Sequence, residues 1–544
     1  MLASVWEGVS LMSGHKGKKK KSSGTSSATK EYADELNNFY CRFDCHDFSS
    51  ERDTMIQGLQ HSAAVSGGAF TVTEDEVLQQ LKRTNPNKAA GPDRIKPSIL
   101  KHCADQLSTI LCFMFNLSLG QFKIPDIWKM SCIVPVPKKI PVTVLNDLRP
   151  VALTSAVMKV FERVVLNRLQ VLVADFLDPF QFAYRARRNV EDAVLYALNN
   201  MYAHLDKPNT FICLMLFKFS SVFNTIQCHL LAEKLLRMNI NAPTVLWIID
   251  YLTSIPQFVR MSSNVLSDVK YTDTGAPQGT VLSPFLFSLY TADCRSQHDS
   301  TPITKFADDT GLTGLITDDD DTHYRRQIDS FVDWCDDNYL QLNVGKTKEM
   351  IIDFRKKKSE CSSIVIKGEK VERVKTYKYL GITFDEKLSW KQHVDATVKK
   401  VHSRLYCLRK LRSFDVRNDI LQMFYTATIG SVLSFGLTCW GGNMTQQDRN
   451  RLDKNIKKAG GVVGRSQENI DATYTRLVTD RLQTILSDET HPLRCEFDSR
   501  RTDRSDRFRL PRTRTTRYQQ SFIPTAIRTH NKQAGRHGTT WTEE

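Results

Sequence analysis

Two adjacent carboxylates, Asp308 and Asp309, stand within an apolar segment that runs from Ile303 to Ile316. This pattern predicts a hairpin of two buried strands with the acidic pair at its turn. Like charges so close together repel unless a cation binds them, and Mg²⁺ commonly takes one or two carboxylates together with phosphate oxygens. The pair is therefore a candidate metal site for phosphoryl transfer. For the dipeptide alone a solvated acidic turn is the better interpretation, and only the apolar flanks favour a metal site.

A further carboxylate on a neighbouring strand is usually needed to hold two metal ions. The segment Phe211–Phe217 is the natural place for it, because a short and continuously apolar run predicts a buried strand. Position 218, where this strand ends, is a lysine. An ammonium group cannot coordinate Mg²⁺, so a two-metal site here would lack a ligand.

The composition is that of an ordinary globular protein, with 544 residues, 41% hydrophobic and 25% charged. A net charge of +15 suits a polyanionic partner. The 13 cysteines have no C-x-x-C pair and no four-ligand zinc spacing, which favours reduced thiols inside the cell. The longest clean apolar run is too short to span a bilayer, so no membrane partner is expected.

Hydrophobic periodicity predicts the elements that position the acidic turn. Residues 13–30 predict a disordered basic arm, and order is expected from about Phe70. Thr73-x-x-Glu76 is a capping box that begins a short helix. Ser131–Pro137 alternates like a strand that its prolines confine to a sheet edge. Further helices are predicted over 96–119, 154–173, 228–238, 243–253 and 320–340, strands near 349–354 and 371–385, and a helical region over 390–441.

A series of short motifs follows in a fixed order along the chain. They are Lys88–Asp93 (KAAGPD), Val134–Lys139 (VPVPKK), Leu145–Leu153 (LNDLRPVAL), Gln181–Arg185 (QFAYR), Phe217–Ile226 (FKFSSVFNTI), Gly275–Pro284 (GAPQGTVLSP), Lys305–Asp309 (KFADD), Leu342–Lys348 (LNVGKTK) and Tyr379–Ile382 (YLGI). Together they resemble the reverse transcriptase of non-LTR, LINE-type retrotransposons, in the jockey-like branch. Group II intron maturases and telomerase share the fold class, but this motif order and the tail Ser521–Pro524 disfavour them.

The resemblance implies an α+β fold, the right-hand polymerase with fingers, palm and thumb and an antiparallel palm sheet. The implied division is a disordered basic arm and N-terminal remnant over 1–69, fingers over 70–180 and palm over 181–388. A helical thumb over 389–443 and a basic, arginine-rich C-terminal region over 444–544 follow. The first seventy residues are too few and too polar for the endonuclease of the family, so the chain is expected to be a reverse transcriptase module from a larger element.

The resemblance also assigns roles to individual residues. Asp308 and Asp309 would bind Mg²⁺. Phe223 matches the aromatic residue that screens out ribose 2′-hydroxyls, although plain core packing explains an aromatic residue as well. Arg149 would contact the incoming dNTP, although a surface ion pair is the simpler interpretation outside this motif series. The remaining implied residues are Lys138 and Lys139 at the triphosphate, Gln278 and Gly279 in the nucleotide pocket, and Tyr379, Leu380 and Gly381 at the primer.

Lys218 is the departure from the family that matters most, because the family has aspartate there. The substitution changes the local charge from −1 to +1 and should lower catalysis by many powers of ten, since a single preorganised group is already worth roughly 10²–10³. We expect Lys218 to pair with Asp308 or Asp309 and to occupy the place of the metal. Arg94 and Gly345 are smaller departures, where glycine and aspartate are common.

A cluster of arginines with interleaved aromatic residues suits phosphate contact and base stacking in the C-terminal region. A disordered basic tail without specific affinity explains the same composition. The candidate nucleic-acid-binding residues are Arg504, Arg507, Arg509, Arg512, Arg514 and Arg517.

Three functions remain open from the sequence. The chain could be a working RNA-directed DNA polymerase that tolerates Lys218, or a catalytically impaired one that still binds RNA or an RNA–DNA hybrid. It could also be a retroelement remnant without a role. The expected partners are an RNA template, a DNA primer and dNTP, in a nuclear or cytoplasmic ribonucleoprotein, and the sequence does not fix the oligomeric state.

Overall fold

The structure is a computed structural model that describes residues 29–66, 70–262, 265–359, 361–502 and 505–537. The predicted basic arm lies almost entirely outside these ranges. The helices are α1 (Lys30–Tyr40), α2 (Ser49–Ser66), α3 (Glu74–Arg83), α4 (Pro97–His102), α5 (Ala104–Gln121), α6 (Asp126–Lys129), α7 (Ala156–Leu172), α8 (Val190–Leu205), α9 (Cys228–Arg237), α10 (Ala242–Leu252), α11 (Ser283–Tyr290), α12 (Thr322–Asp337), α13 (Lys391–Arg412), α14 (Asn418–Phe424), α15 (Ser431–Ser434), α16 (Leu437–Trp440), α17 (Gln446–Val463), α18 (Ile470–Leu486), α19 (Arg494–Asp498), α20 (Thr516–Gln519) and α21 (Phe522–His537).

The strands form two larger sheets and three two-stranded ones among the described residues. They are β1 (Ser131–Pro137), β2 (Leu148–Leu153), β3 (Thr210–Phe217), β4 (Ile255–Val259), β5 (Lys270–Thr272), β6 (Ile303–Phe306), β7 (Asp309–Thr317), β8 (Lys348–Ile352), β9 (Val365–Ile366), β10 (Glu369–Lys370), β11 (Glu372–Arg373), β12 (Thr376–Tyr379), β13 (Ile382–Asp385), β14 (Arg501–Thr502) and β15 (Ser505–Phe508).

The central sheet has the strand order β11-β8-β3-β7-β6. β3 lies in its middle and pairs antiparallel with both β7 and β8, while β6 and β7 form the predicted hairpin. The short β11 pairs parallel with β8, so the expectation of a wholly antiparallel sheet is wrong at that edge.

Both faces of β3 are buried, which explains why its sequence is continuously apolar rather than alternating. Phe211, Cys213, Met215 and Phe217 belong to one core cluster, packed with α7 and with helices α9 to α12. The intervening side chains belong to a second cluster, formed with α8 and with the helices that follow Trp390. The buried strand predicted from Phe211–Phe217 is therefore confirmed.

The predicted helices over 154–173, 228–238, 243–253 and 320–340 are confirmed with ends within a few residues. The capping box at Thr73 and Glu76 is also present. The helix predicted over 96–119 is instead two helices, α4 and α5, which meet at Cys103.

A second sheet has the order β2-β1-β4-β5, so the prediction that β1 is an edge strand is wrong. β1 pairs with β2 over most of its length but with β4 only from Ser131 to Ile133. Its prolines, Pro135 and Pro137, lie beyond the β4 pairing, where one side of the strand needs no hydrogen-bond donor.

The expectation that order begins near Phe70 is wrong, because α1 and α2 precede it. Ala33, Leu36 and Tyr40 of α1 join a small core cluster with residues of β1, β2 and β4. The Asn37 side chain donates a 2.9 Å hydrogen bond to the Asp268 carbonyl, which lies 231 residues away in sequence.

The described part of the C-terminal region is folded, so the disordered-tail interpretation does not hold for it. α17, α18 and α21 contribute buried residues to the same core cluster as β3, including Leu452, Val478 and Ile527. Several arginines of this region pair with nearby carboxylates, as in Arg494–Asp498 at 3.1 Å.

The stretch Asn418–Trp440 is long and apolar enough to cross a membrane by length and composition. A core helix passes the same test, and this stretch places Leu421, Phe424, Ile429 and Trp440 in the second core cluster. It also contains a π-helical segment and a left-handed Gly436, at φ 64°. The absence of a membrane partner stays a prediction.

Candidate active site

The acidic turn lies between β6 and β7, as the sequence predicts. Asp309 is the first residue of β7 and pairs with Phe306, which leaves Ala307 and Asp308 as the turn. Ala307 has a left-handed φ of 54°, which is costly for a residue with a Cβ atom. Gln181 fixes this turn from the side, because its Oε1 accepts a 3.0 Å hydrogen bond from the Ala307 amide.

The sheet register places Lys218 opposite Asp309. Phe217 is the partner of Thr310, so the next residue of the chain comes beside the first residue of β7. Lys218 Nζ contacts Asp309 Oδ1, and the side chains are 32% and 26% exposed. The pairing expected from the sequence is therefore confirmed.

The backbone of Lys218 is held on both sides. Its amide donates a 3.2 Å hydrogen bond to Thr347 Oγ1, and its carbonyl accepts a 2.7 Å hydrogen bond from the Asn343 amide. Both partners belong to the segment that precedes β8. The position of residue 218 is thus set by the sheet, whichever side chain it carries.

The electrostatics of the turn are those of three coupled charges. Burial alone would lower the pKa of Lys218, but the hydrogen bond and the charge of Asp309 outweigh it and raise that pKa. Burial and then the charge of Asp309 raise the pKa of Asp308, and the charges of Lys218 and Arg149 oppose this rise. Lys218 therefore stays charged at neutral pH and offsets the repulsion between the two carboxylates.

The donor set does not fit two Mg²⁺ ions. In the described parts of the chain, no three His, Cys, Asp or Glu side chains come together in a way that could hold a metal ion. At the turn there are two carboxylates, and one of them is engaged by an ammonium group. The residues that the family uses for its metal are therefore only partly present.

The loop Gly275–Pro284 packs against β2 and against residues 222–224. The Ala152 amide donates a 2.9 Å hydrogen bond to the Gln278 carbonyl, and a Cβ atom on Gly279 would lie 2.8 Å from the Ala152 carbonyl oxygen. Gly279 has a φ of +117°, so only glycine suits this close approach. The structure thus brings Gln278 and Gly279 next to β2, which also carries Arg149.

Phe223 is half-buried, with its ring centroid 5.3 Å from that of Phe287. Its carbonyl accepts a 2.6 Å hydrogen bond from the Ala276 amide, and the Gln278 side chain donates at 3.3 Å to Asn224 Oδ1. Phe223 therefore lies at the same loop as the predicted nucleotide pocket, with part of its ring packed in the core.

Arg42, Lys138, Arg149 and Lys346 form a basic cluster, and the charge of Arg149 also acts on Asp308 in the acidic turn. Burial first, and then repulsion from the other three members, lowers the pKa of Lys138. Arg149 is exposed and forms no ion pair with any described carboxylate within 4.0 Å. Sequence reasoning missed Arg42 and Lys346, although Lys346 lies inside one of the quoted motifs.

The other predicted site residues are placed differently. Lys139 pairs with Asp147 at 3.1 Å and braces the β1–β2 connection. Tyr379 is 4% exposed, and its hydroxyl packs 3.3 Å from where a Cβ atom on Gly311 would lie, so its side chain is buried against β7. Leu380 and Gly381 form the turn between β12 and β13, both with positive φ.

The C-terminal arginines lie away from the acidic turn. Arg517 stacks 3.5 Å over the Phe354 ring, and the Arg514 amide donates to Asp206 at 2.8 Å. Asp206 and Phe354 are at the Thr210 end of β3, a strand length of roughly 23 Å from Lys218. Arg507, Arg509 and Arg512 are exposed, and Arg504 lies outside the described residues.

Glu162 is a buried carboxylate that the sequence did not single out. It lies on α7, is fully buried, and accepts hydrogen bonds from the Leu282 amide and Tyr251 Oη, each at 3.2 Å, and from the Val281 amide. Burial raises its pKa to about 7 against these hydrogen bonds. It therefore ties α7 to the end of the loop that carries Gln278.

We expect Glu162→Gln to flatten the pH dependence of stability. Because the folded-state pKa lies above the usual glutamate value of 4.5, the folded chain holds this proton more tightly, and stability falls as the pH rises from about 5 to 8. The contribution is at most about 3 kcal/mol. Urea unfolding of parent and variant at both pH values measures it, and equal pH dependence in the two proteins would contradict this role.

Residues 136–384 match the family model described as "Reverse transcriptase (RNA-dependent DNA polymerase)". This part of the chain is therefore similar to a reverse transcriptase domain, for which the right-hand polymerase fold is expected, and the chain resembles retrotransposon RNA-directed DNA polymerases. Residues 390–431 also match the model "Alkylated DNA repair protein alkB homolog 8, N-terminal".

Three relatives are each 24% identical to the chain. The "RNA-directed DNA polymerase from mobile element jockey" of Drosophila funebris aligns over 380 residues, 67% of this chain and 41% of the relative. The "Probable RNA-directed DNA polymerase from transposon BS" of Drosophila melanogaster aligns over 404 residues, 72% and 44%. The "Probable RNA-directed DNA polymerase from transposon X-element" of the same species aligns over 67% and 41%. The matched part spans about two fifths of each relative's length.

Proposed function

We propose that this chain is an RNA-directed DNA polymerase domain whose phosphoryl transfer is blocked by Lys218. The contact between Lys218 Nζ and Asp309 Oδ1 is the observation that carries the proposal. An ammonium group stands where the family's aspartate would be, and it engages a carboxylate that the reaction needs. Without Lys218, the two carboxylates of the turn would lose the cation that contacts Asp309.

The size of the charge effect supports a block rather than a small perturbation. A divalent cation about 4 Å from an ammonium group is repelled by on the order of 8 kcal/mol at an effective dielectric constant of 20, before solvent screening reduces it. The missing aspartate would have attracted the same ion by a similar amount. The repulsion by Lys218 and the loss of the aspartate both weaken Mg²⁺ binding, so we expect this chain to bind Mg²⁺ weakly.

The proposed division of the chain follows the central sheet. It consists of fingers over 70–180, palm over 181–388, a helical thumb over 389–443 and a basic, arginine-rich C-terminal region over 444–544. β3, β6, β7 and β8 fall within the palm range, and α13 to α16 within the thumb range. Residues 30–66 pack on β4 and α10, so they join the body of the protein rather than forming a separate arm.

A second function, binding without synthesis, is favoured by the basic cluster of Arg42, Lys138, Arg149 and Lys346. Substrate phosphate oxygens are suitable partners for an exposed guanidinium such as that of Arg149, which no described carboxylate engages. The proposed partners are an RNA template, a DNA primer and dNTP, and the proposed location is a nuclear or cytoplasmic ribonucleoprotein. Lys218 acts on the metal ions rather than on the template in this scheme, so binding is retained when synthesis is lost.

The test compares binding and synthesis by the same preparation. The parent chain is expected to bind a DNA primer annealed to an RNA template in a filter assay, with affinity that falls steeply with salt. It is expected to give no extension product with Mg²⁺ and dNTPs. Robust extension would contradict the block, and the absence of any binding would instead support a remnant without a role.

A further inference from the structure

A cavity of about 350 Å³ lies beside the acidic turn, between residues 177–188 and the loop 487–490. We name it the arginine pocket, because Arg185, Arg187 and Arg188 line it together with Tyr184. Its volume falls in the range of small-ligand sites. Residues 487–490 of the C-terminal region form one wall of the pocket, and the sequence did not predict this contact.

Hydrogen bonds of Gln181 connect the pocket to the acidic turn. Gln181, which also lines it, accepts hydrogen bonds from the amides of Ala183 and Ala307 at 3.1 and 3.0 Å. Burial and then the charge of Asp308 raise the pKa of Tyr184. A strand held in the pocket would therefore reach the turn directly.

The three arginines of the pocket differ in whether a carboxylate forms an ion pair with them. Arg188 is 1% exposed and bonds to Asp488 at 3.0 Å, to the Pro179 carbonyl at 2.7 Å and to the Thr490 carbonyl at 2.6 Å. Asp178 is neutralised by Lys305 at 2.6 Å. Arg185 and Arg187 remain, and in the described residues neither has a carboxylate within 4.0 Å of its guanidinium.

Arg185 carries the clearest sign of an unmatched charge. It is half-buried and donates to the Asp178 carbonyl at 2.9 Å. Burial, followed by repulsion from Arg188, lowers its pKa to about 10. The exposed Glu489 at the rim offsets only one of the two unmatched guanidinium groups, so the pocket keeps a net positive charge that suits an anion.

The backbone of the loop is also strained. Tyr184 and Arg187 both adopt left-handed conformations, with φ of 60° and 62°. Strain of this kind is concentrated at ligand-binding segments. It places a 43% exposed tyrosine ring beside the arginines, and aromatic rings with arginines are the usual means of holding single-stranded nucleic acid.

We propose that the arginine pocket binds one nucleotide of the single-stranded RNA template, with its phosphate on Arg185 and Arg187 and its base stacked on Tyr184. This inference rests on the proposed function and adds the site that guides the template to the turn. No step of catalysis is involved, so the chain carrying Lys218 is a suitable protein for the test.

The test measures binding of a fluorescein-labelled ten-nucleotide oligouridine by fluorescence anisotropy between 50 and 200 mM salt. The double variant Arg185→Ala with Arg187→Ala is expected to bind at least ~10-fold more weakly, and the salt slope should fall by about 0.7 for the one phosphate that both arginines contact. Glu489→Gln should bind about 2- to 3-fold more tightly, because among the described residues that line the pocket it removes the one carboxylate without an ion pair. Arg237→Ala is the control, since Arg237 is exposed and paired with Glu233.

Arg187 is exposed, so Arg187→Ala alone provides a variant that folds if the double variant does not. The pocket assignment is overturned if the parent binds the RNA and both Arg187→Ala and Glu489→Gln bind it with unchanged affinity and salt slope. Loss of binding by the parent itself would also overturn the nucleic-acid part of the proposed function. Equal competition by inorganic phosphate or dTTP would make the pocket a phosphate or nucleotide site, and preference for oligothymidine would contradict an RNA template.

Discussion

Lys218→Asp is expected to convert an inactive chain into one that extends a DNA primer on an RNA template. The backbone at 218 is fixed by Thr347 and Asn343, so an aspartate there would present its carboxylate opposite Asp309. The variant regains a third carboxylate and loses the competing cation. Extension should rise by at least about 10²–10³-fold over the parent, the usual value of one preorganised catalytic group.

Lys218→Met is the matched control for this prediction. It removes the ammonium group without supplying a carboxylate, so it separates relief of the block from restoration of the ligand. We expect it to stay near the background of the assay, which follows incorporation of labelled dNTP with Mg²⁺. Extension by Lys218→Met equal to that of Lys218→Asp would show that the missing carboxylate is unimportant.

Lys305→Met is expected to destabilise the protein more than any other single change considered. The Lys305 and Asp178 side chains are 3% and 2% exposed and 2.6 Å apart. Lys305 Nζ also donates to the carbonyls of Thr291 and Cys294, at 2.7 and 2.8 Å. Removing one partner of a buried ion pair leaves the other charge uncompensated, which costs about 3–5 kcal/mol.

The measurement is the free energy of unfolding from urea titration monitored by circular dichroism. Arg237→Met is the control, because its ion pair with Glu233 is exposed and should change stability by less than about 1 kcal/mol. Combining Lys305→Met with Asp178→Leu should recover part of the loss, since no unpaired charge remains. A single variant as stable as the parent would refute the argument.

The sequence predicted the hairpin because local signals determine it, whereas the ion pair joins residues 91 positions apart and was predicted from the end of β3 and the family resemblance. An apolar run on each side of Asp308 and Asp309 leaves only the turn for them, and the two-residue period of β3 and β7 brings position 218 beside Asp309. The family resemblance then identified Lys218 as unusual. Electrostatic attraction then predicts the ion pair, because an ammonium group close to two carboxylates binds one of them.

The sequence did not predict what depends on long-range contacts. α1 is a polar helix whose Asn37 finds its partner 231 residues away, so no local pattern identifies it as part of the body. The arginine pocket likewise joins Arg188 to Asp488, 300 residues later in the chain. β1 is an inner strand despite its two prolines, because β4 pairs only with its first three residues and the prolines lie beyond that pairing.

The central claim is that an ammonium group has taken the place of a metal ion, and Mn²⁺ binding followed by electron paramagnetic resonance tests it most directly. The parent chain is expected to leave Mn²⁺ free at millimolar concentration, while Lys218→Asp binds it, in both cases without substrate. Tight Mn²⁺ binding by the parent, lost in Asp308→Asn, would place a metal beside Lys218 and contradict the account.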